Sequence, residues 1–381
     1  MTADRDDVPA VRGRHRIDHL DGLRAIAALA VVMQHTVEVS FVTTTEGGWA
    51  GWVFQQGFNF GRYGVAVFFL ISGFLIPSSI VERPNSLREF AISRFFRLYP
   101  LYWVSLAAAV LLLPVIRDQY FPATTVLANI TMVQTAFGVP NVIELYWTLF
   151  VEMMFYVACA ILFATGWLHR RATPLAAVLL LGAIIVASSL ILLVPGSERV
   201  ASPLMKLGTF AMYLQLMFLG QVLRGAADDG SKSGVPLPLA GTVAALAIYC
   251  ASRQITGAYL PGLTPLGVFA ASVAAVATFM ASSRIPGLRA TWLVYLGAIS
   301  YGIYLFHPIV SAAVRQVLPY AGTWPLVAAL VVSVTLGTIA VSAATYRLIE
   351  KPAMAYGSRL RRMLRSEEEP AQQAPLARQR L

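Results

Sequence analysis

Three ionisable side chains stand out inside long apolar stretches of this sequence: His35, Glu152 and His307. By insertion scales, a charged or strongly polar side chain at the centre of a membrane helix costs on the order of 3 kcal/mol, so each one is a functional candidate. An imidazole can accept and return a proton near neutral pH, and a carboxylate can orient it. The chemistry that these residue types favour is therefore proton transfer.

Arg24 lies eleven residues before His35 on the same apolar stretch. On a helix this spacing is three turns plus about 20°, so both side chains face one way, about 16 Å apart. Coenzyme A thioesters need cations at the surface for their phosphates and a proton-transfer group further in, at the thioester. The spacing favours Arg24 as a phosphate contact and His35 as a general base. The alternative is an interior histidine satisfied by packing and an arginine extended to the surface.

Glu152 is expected at a depth similar to that of His35, on a helix that runs the other way. A direct pair would let the carboxylate orient the imidazole and stabilise its cation, as in a catalytic triad. Tyr156 lies one turn further along the same face. A structural hydrogen bond from Glu152 to a neighbouring helix explains the residue equally well.

Other polar residues extend the candidate site. Arg94 and Arg97, at i and i+3, offer a second clamp for phosphates or ordinary anchoring at the membrane surface. On a later stretch Ser300, Tyr304 and His307 follow at i, i+4 and i+7 and form a polar stripe. The stripe would line the acceptor site or end its helix before Pro308.

Small residues accompany Ser72, a supporting residue of the candidate site. Gly61, Gly64 and Gly73 allow close helix approach, and we interpret them and Ser72 first as packing residues. Glu350, near the end of the last apolar stretch, is expected to be an anchor at the membrane interface.

The elements that must hold these residues are membrane-spanning helices. The 381 residues are 57% hydrophobic and 13% charged, with a mean hydropathy of +0.66, far from the composition of soluble domains. Apolar runs of about 17–23 residues recur, each long enough to cross a bilayer. We predict an all-α polytopic membrane protein of about ten transmembrane helices, at 22–41, 62–81, 99–116, 145–165, 174–194, 205–223, 236–251, 261–281, 290–311 and 324–348.

Arginine and lysine cluster in alternate loops, which places both termini in the cytoplasm. The predicted inner cations are Arg12, Arg14, Arg16, Arg83, Arg88, Arg94, Arg97, Arg170, Arg171, Arg224, Lys232, Arg284, Arg289, Lys351, Arg359, Arg361, Arg362 and Arg365. Outer loops hold scattered cations such as Arg253 and Arg315, and the outer loop 117–144 is expected to contain a short helix around Thr125–Phe137.

We divide the chain into a disordered cytoplasmic tail (1–19, with His15 and His19 in solvent), a transmembrane domain (20–352) and a basic, then low-complexity cytoplasmic tail (353–381). Residues 366–381 are expected to be disordered. The predicted location is the inner, cytoplasmic membrane, as a multi-pass protein.

The net charge of +10 does not indicate nucleic-acid binding, because the arginines flank the spans instead of forming a basic face with interleaved aromatics. Membrane lipid is the expected partner. Cys159 and Cys250 lie inside predicted spans without metal-ligand spacing, so we expect packing residues, no disulfide framework and no metal site. Arginine in place of lysine is typical of a GC-rich bacterial genome.

Taken in order, several segments resemble the acyltransferase-3 family of membrane O-acyltransferases, over nearly the whole chain from Asp21 to about Pro352. The resemblance lies in Leu20-Asp21-Gly22-Leu23-Arg24 leading to His35, Val67-Phe68-Phe69-Leu70-Ile71-Ser72-Gly73-Phe74, Arg94-Phe95-Phe96-Arg97-Leu98-Tyr99-Pro100, Trp147-Thr148-Leu149-Phe150-Val151-Glu152 through Tyr156, Ser300-Tyr301 with Tyr304-Leu305-Phe306-His307, and Glu350-Lys351-Pro352. Ser93 departs from the family, since many members carry arginine at that point.

The resemblance implies transfer of an acetyl or other short acyl group from cytoplasmic acyl-CoA, the co-substrate, to a hydroxyl. The acceptor would be a sugar of a surface polysaccharide or lipid-linked glycan, or a small molecule such as a macrolide. It also implies that Arg24 and His35 are essential.

Some family members append an extracytoplasmic hydrolase-like domain that this sequence does not show. Direct transfer and delivery to a separate extracytoplasmic transferase partner are therefore both expected possibilities. A covalent acyl-histidine relay, with His307 near the acceptor, is as compatible with the residues as general-base catalysis.

The main alternative is a multi-pass transporter or flippase of a lipid-linked glycan or small metabolite, because polar residues at mid-membrane also mark substrate paths. The sequence shows no inverted repeat and no paired broken spans, which speaks against it. A scaffold for polysaccharide enzymes would have no need of His35.

Overall fold

A computed structural model describes residues 17–41, 52–81, 86–231, 233–259, 264–318 and 323–378. Throughout them the fold is all-helical, as predicted, with no β-strand. The α-helices are α1 (Asp18–Phe41), α2 (Phe60–Val81), α3 (Ser86–Arg117), α4 (Ala123–Ile130), α5 (Trp147–Ala164), α6 (Ala172–Ile191), α7 (Glu198–Asp229), α8 (Pro236–Thr256), α9 (Pro265–Ala281), α10 (Thr291–Ala298), α11 (Ser300–Val317), α12 (Trp324–Thr345) and α13 (Lys351–Arg378). Short 3₁₀ segments and two π-helical turns, Val53–Gly57 and Tyr346–Glu350, lie between them.

Seven helical stretches of the described chain are long and apolar enough to cross a membrane. The count becomes eight if α10 and α11, which meet at an angle of 69°, form one broken span. Each of the ten predicted spans overlaps a helix, but two of those helices, α7 and α8, are not among these eight. The multi-pass helical class is confirmed, while the number of spans and the side of the termini stay predictions.

Helix α1 lies at the centre of the bundle and packs against α2, α10, α11 and α12. Its inward-facing residues are small or β-branched, and several of them have no exposed surface: Ala25, Ala27, Ala28, Val31 and Val32. Small side chains let neighbouring helices approach closely where lipid supplies no hydrophobic driving force. The helix that carries both Arg24 and His35 is therefore held on several sides.

Glycines on α2 bring its backbone into contact with the backbones of two neighbouring helices, as the sequence predicts for Gly64 and Gly73. A Cβ atom on Gly73 would lie 1.7 Å from the carbonyl oxygen of Met217 on α7. A Cβ on Gly64 would lie 2.3 Å from the carbonyl oxygen of Ala27 on α1. Helix α2 is thus fitted between α1 and α7 at distances that only glycine allows.

The loop before α5 contains the predicted short helix, α4, followed by a 3₁₀ turn, Gln134–Phe137. The side chain of buried Asn129 organises this loop: its Nδ2 donates to the carbonyl oxygens of Thr125 (2.8 Å) and Pro140 (2.9 Å). Its Oδ1 accepts a hydrogen bond from the backbone N–H of Val142 at 3.1 Å. These bonds fix the start of α5, which carries Glu152.

Both predicted tail boundaries fall inside helices. Helix α1 begins at Asp18, so His19 belongs to it, whereas His15, Arg12, Arg14, Arg16, Arg83 and Lys232 lie outside the described residues. The prediction of disorder from residue 366 is wrong as far as Arg378, because α13 continues to that residue. Extending an existing helix costs far less than nucleating one, and this segment is rich in helix-forming Ala, Gln, Glu and Arg.

Helix α13 is joined to α3 by a bidentate ion pair. Arg365 donates from Nε and Nη2 to the two carboxylate oxygens of Glu89, at 2.5 and 2.6 Å. Cys159 and Cys250 are free and buried, in agreement with their predicted packing role.

Replacing Gly73 with alanine tests the close contact between α2 and α7. The added Cβ would meet backbone, which cannot rotate away, so we expect a loss of about 1–3 kcal/mol of stability and a fall of roughly 5 °C in apparent melting temperature. Thermal unfolding of the detergent-solubilised protein, followed by tryptophan fluorescence, measures the change. Gly225→Ala on α7 is the matched control, because no atom lies within 4 Å of its added Cβ. An equal effect of both substitutions would contradict the prediction.

Candidate active site

A cavity of about 670 Å³ lies between α1, α2, α3, α5, α7 and α11. It collects most of the residues that the sequence singles out, although these come from five helices. The predicted site residues that line it are Arg24, Ser72, Arg94, Arg97, Glu152, Tyr156, Ser300 and Tyr304. His35 and His307 are not among its lining residues.

Four arginines line this cavity: the predicted Arg24, Arg94 and Arg97, and Arg224 of α7, which the sequence analysis did not select. Two carboxylates, those of Asp21 and Glu152, line it as well. Among the described residues the lining therefore carries two more positive than negative formal charges. Such a cavity favours an anion.

Three of these arginines have a carboxylate partner. Nη1 of Arg24 donates to Oδ1 of Asp21 at 3.0 Å, and Nε of Arg224 donates to Oδ2 of Asp228 at 2.8 Å. Arg97 forms an ion pair with Glu350. These pairs hold the guanidinium groups in place but leave most of their N–H donors available.

Glu350, which the sequence predicts as an interfacial anchor, is a buried residue in the structure. Its side chain is only 1% exposed, and it reaches Arg97 across the bundle from the π-helical turn after α12. A carboxylate in a membrane protein needs a cation when it is removed from water, and Arg97 supplies it. The sequence alone does not predict this contact, because 253 residues separate the two partners.

Arg94 differs from the other cavity arginines, since no carboxylate pairs with it in the described part of the chain. Its Nη2 donates to Oγ of Ser79 at 3.0 Å, and its guanidinium carbon lies 5.3 Å from the ring centre of Phe90 and 5.4 Å from that of Tyr156. Its Nε is buried and has no hydrogen-bond partner. Arg94 is thus held by a hydroxyl and two aromatic rings. Its Nε has no acceptor, and no carboxylate neutralises its charge.

Glu152 accepts a hydrogen bond from the hydroxyl of Tyr156, one turn further along α5. The structure does not bring Glu152 to His35, so the predicted direct pair between them is absent here. The helical spacing correctly placed Glu152 and Tyr156 on one face. It did not determine which helix that face would meet.

His35 instead meets His307, from the polar stripe of α11. Nδ1 of His35 lies 3.2 Å from Nε2 of His307, and the two rings are nearly parallel, at 19°, with centroids 5.3 Å apart. His307 is buried, with 1% exposure. Nη2 of Arg315 donates to the carbonyl oxygen of His35 at 3.3 Å, which holds α1 against α11 at this level.

Tyr304 stands between the cavity and the histidine pair. Its ring lines the cavity, and its centroid lies 6.1 Å from that of His307. Its hydroxyl is within hydrogen-bond distance of Thr148 Oγ1, at 2.8 Å. Helix α11 does not end before Pro308 but continues to Val317, so the stripe of Ser300, Tyr304 and His307 is one continuous helical face.

Arg62 is a further charged residue near the histidines that the sequence analysis did not select as a candidate. Its Nη1 donates to the hydroxyl of Tyr213 at 2.8 Å, and its guanidinium carbon lies 5.2 Å from the ring centre of Trp147. It is close enough to His35 to act on it electrostatically. The signal in the sequence was an arginine at the start of an apolar span, where a charge is costly.

The sequence model of a family described as an acyltransferase domain matches residues 17–347 of this chain. A provisionally named peptidoglycan O-acetyltransferase of Bacillus subtilis is 27% identical, over 91% of this chain and 56% of the relative. The peptidoglycan O-acetyltransferase of Listeria monocytogenes is 26% identical, over 89% and 56%. Nodulation protein 10 of Rhizobium leguminosarum is 26% identical, over 89% and 94%.

The chain thus spans about half the length of the first two relatives. No solved structure matches it significantly.

A double-mutant cycle tests the pair of Arg97 and Glu350. Because Glu350 is buried, we expect a coupling free energy of about 1.5–3 kcal/mol between Arg97→Ala and Glu350→Ala, measured as differences in stability from detergent-solubilised protein. The same cycle on Arg171 and Asp229, whose side chains are 83% and 31% exposed, is the control and should give less than about 1 kcal/mol. A coupling no larger than that of the control would show that Glu350 does not hold Arg97.

Proposed function

Because the chain belongs to the acyltransferase-3 family, and is an acyltransferase, we propose that it transfers a short acyl group from acyl-CoA to a hydroxyl at the cytoplasmic membrane. One observation carries the proposal. A cavity lined by four arginines leads from Arg94 and Arg24 to Tyr304, beside which two histidines contact each other. This order of groups fits the parts of a coenzyme A thioester, from its phosphates to its reactive end.

We assign the phosphates of the donor to the arginines. Arg94 is the expected primary contact, since it lines the cavity and its charge has no carboxylate partner in the described part of the chain. Arg24 and Arg97 keep their carboxylates and add further N–H donors. Arginine suits phosphate because its planar donors match two oxygens at once.

The pantetheine arm would then extend along the cavity toward Tyr304. Its amide N–H groups need acceptors in a site without bulk water, and the carboxylate of Glu152, held by Tyr156, is one. Ser72 and Ser300 also line the cavity and offer hydroxyl groups. In this proposal Glu152 positions the donor and does not orient His35.

The reaction itself is assigned to His35. The acceptor oxygen attacks the carbonyl carbon of the thioester while its proton passes to the imidazole. The tetrahedral intermediate then breaks the bond between carbon and sulfur, and the leaving thiolate takes the proton back from the imidazolium. The thioester reaches His35 past Tyr304 and Thr148, so these two side chains border the acyl group.

For the acceptor we propose a carbohydrate hydroxyl. Two relatives are named for O-acetyl transfer to peptidoglycan, which supports a sugar of a surface polysaccharide or lipid-linked glycan. A small molecule such as a macrolide fits the same chemistry. Transfer to a separate extracytoplasmic partner through an acyl-histidine is a variant of the proposal, in which His35 is the nucleophile instead of the base.

His35→Ala tests the catalytic assignment. Full-length protein in nanodiscs receives radiolabelled acetyl-CoA with a cell-envelope and metabolite extract, and the label transferred to the extract is measured. We expect the substitution to lower the rate at least about 100-fold, because it removes the group that takes the proton. His169→Ala, in the loop before α6, is the control and should keep wild-type activity. Transfer by the His35 variant at the rate of the control would reject the assignment.

Arg94→Gln tests the phosphate contact. It should lower kcat/KM for acetyl-CoA by about 10–100-fold, corresponding to a charged hydrogen bond of about 1.5–3 kcal/mol. The reaction with acetyl-pantetheine, which has no phosphate, should change less than about threefold. Arg171→Gln, at an exposed ion pair, is the matched control. Equal losses with both donors would place Arg94 outside the phosphate site.

A further inference from the structure

We infer that His307 is a positioning residue that fixes the imidazole of His35 with its proton on Nδ1, so that Nε2 carries the lone pair that acts as the base. The role of that lone pair in acyl transfer rests on the proposed function. The arrangement of the two rings does not.

The argument starts at Pro308, which lies inside α11. In a helix the backbone N–H of residue 308 would bond to the carbonyl oxygen of Tyr304, but proline has no N–H. That carbonyl oxygen is left without its usual donor in a buried part of the bundle. Nδ1 of His307 lies 2.9 Å from it. The side chain of His307 thus replaces the hydrogen bond that Pro308 cannot make.

This contact determines which nitrogen of His307 carries the proton. A carbonyl oxygen only accepts hydrogen bonds, and Nδ1 faces two of them, those of Tyr304 at 2.9 Å and Ile303 at 3.2 Å. Nδ1 must therefore be the protonated nitrogen. In a neutral imidazole the other nitrogen, Nε2, is then an acceptor.

The same logic passes to His35. Its Nδ1 lies 3.2 Å from Nε2 of His307, and two facing lone pairs would repel each other. His35 must therefore donate from Nδ1, which leaves its Nε2 unprotonated. In this tautomer the lone pair of Nε2 is available to a substrate.

A doubly protonated His307 would also satisfy the carbonyl oxygens, but the surroundings oppose it. His307 is 1% exposed, and two cations lie near the pair: Arg62, which acts on His35 electrostatically, and Arg315, which donates to the carbonyl oxygen of His35. A further cation in a dry site is costly. When His35 takes a proton during the reaction, the lone pair on Nε2 of His307 accepts from Nδ1 and stabilises the transient imidazolium. A neutral histidine thus serves where a triad uses a carboxylate.

Solid-state NMR of the full chain in nanodiscs tests the proton positions directly. The protein has five histidines, so ¹⁵N-histidine labelling gives few signals, and His35→Gln identifies those of His35. Above neutral pH we expect His35 protonated on Nδ1 and unprotonated on Nε2. A His35 protonated on Nε2 would overturn the inference.

Two substitutions of His307 test the consequence for catalysis. His307→Leu removes the acceptor, and we expect kcat to fall about 100-fold while KM for acetyl-CoA changes less than about threefold. His307→Gln keeps an oxygen that can accept from Nδ1 of His35, and it should recover at least about tenfold of the loss. A leucine variant with unchanged kcat, or a glutamine variant no better than it, would refute the positioning role.

Pro308→Ala separates positioning from packing. It restores an N–H that competes with His307 for the carbonyl oxygen of Tyr304, and alanine is the better helix residue. We expect unchanged or higher thermal stability together with a kcat about tenfold lower and a mixture of the two His35 tautomers in the NMR spectrum. Pro114→Ala in α3 is the matched control, because that proline lies within a helix but outside the site. Equal kcat in both variants would contradict the inference.

The experiments distinguish a failure of the proposed acyl transfer from a failure of the positioning role of His307. If wild-type protein shows the Nδ1-protonated His35 but transfers no acyl group from acetyl-CoA, the pair is supported and the proposed donor chemistry is rejected. If acetyl transfer depends on His35 but not on His307, the proposed function holds and the positioning role is rejected.

Discussion

A hydrocarbon environment offers no hydrogen bonds, so most polar groups inside this bundle must be satisfied by other parts of the chain. That constraint organises both halves of the candidate site. Arg24 pairs with Asp21 one turn away on the same helix. Other charged and polar side chains pair with distant parts of the chain: Arg97 with Glu350, Arg62 with Tyr213, and His35 with His307. The same constraint makes Pro308 important, because its missing N–H exposes a carbonyl oxygen that only a nearby side chain can satisfy. In this protein the contacts that satisfy buried polar groups also arrange the catalytic candidates.

Close packing is the second requirement, and α1 shows how it serves the site. The small residues on this helix and the glycines of α2 bring several backbones together, which leaves little room for α1 to shift or rotate. Arg24 and His35 lie on this one rigid helix, at the cavity and at the histidine pair. The distance between a phosphate contact and a proton acceptor is then set by helical geometry, and Tyr304 separates the two sites.

The helical class, the candidate residues and the convergence of three arginines could be predicted from the sequence. Apolar runs long enough to span a bilayer, cations beside them and polar residues within them are local signals, readable along one helix at a time. The structure confirms that Arg24, Arg94 and Arg97 share a cavity with Glu152 and Tyr156. It rejects the direct contact of His35 with Glu152, because depth and periodicity describe one helix and not the rotation of its neighbour. The roles of Arg224 and Glu350 were not predicted for the same reason, since the other residues of the cavity and the partner of Glu350 lie far away in sequence.

By itself, then, the sequence determined which residues are costly in a membrane, which of them share a helical face, and that the chain resembles a family of O-acyltransferases. Only the tertiary structure decided that His307, and not Glu152, lies against His35, that Glu350 holds Arg97, and that Arg94 has no carboxylate partner in the described chain. The physical reason is the range of the interactions. Helix periodicity and hydrophobicity act between residues a few positions apart, whereas a hydrogen bond between side chains 272 residues apart depends on how whole helices pack.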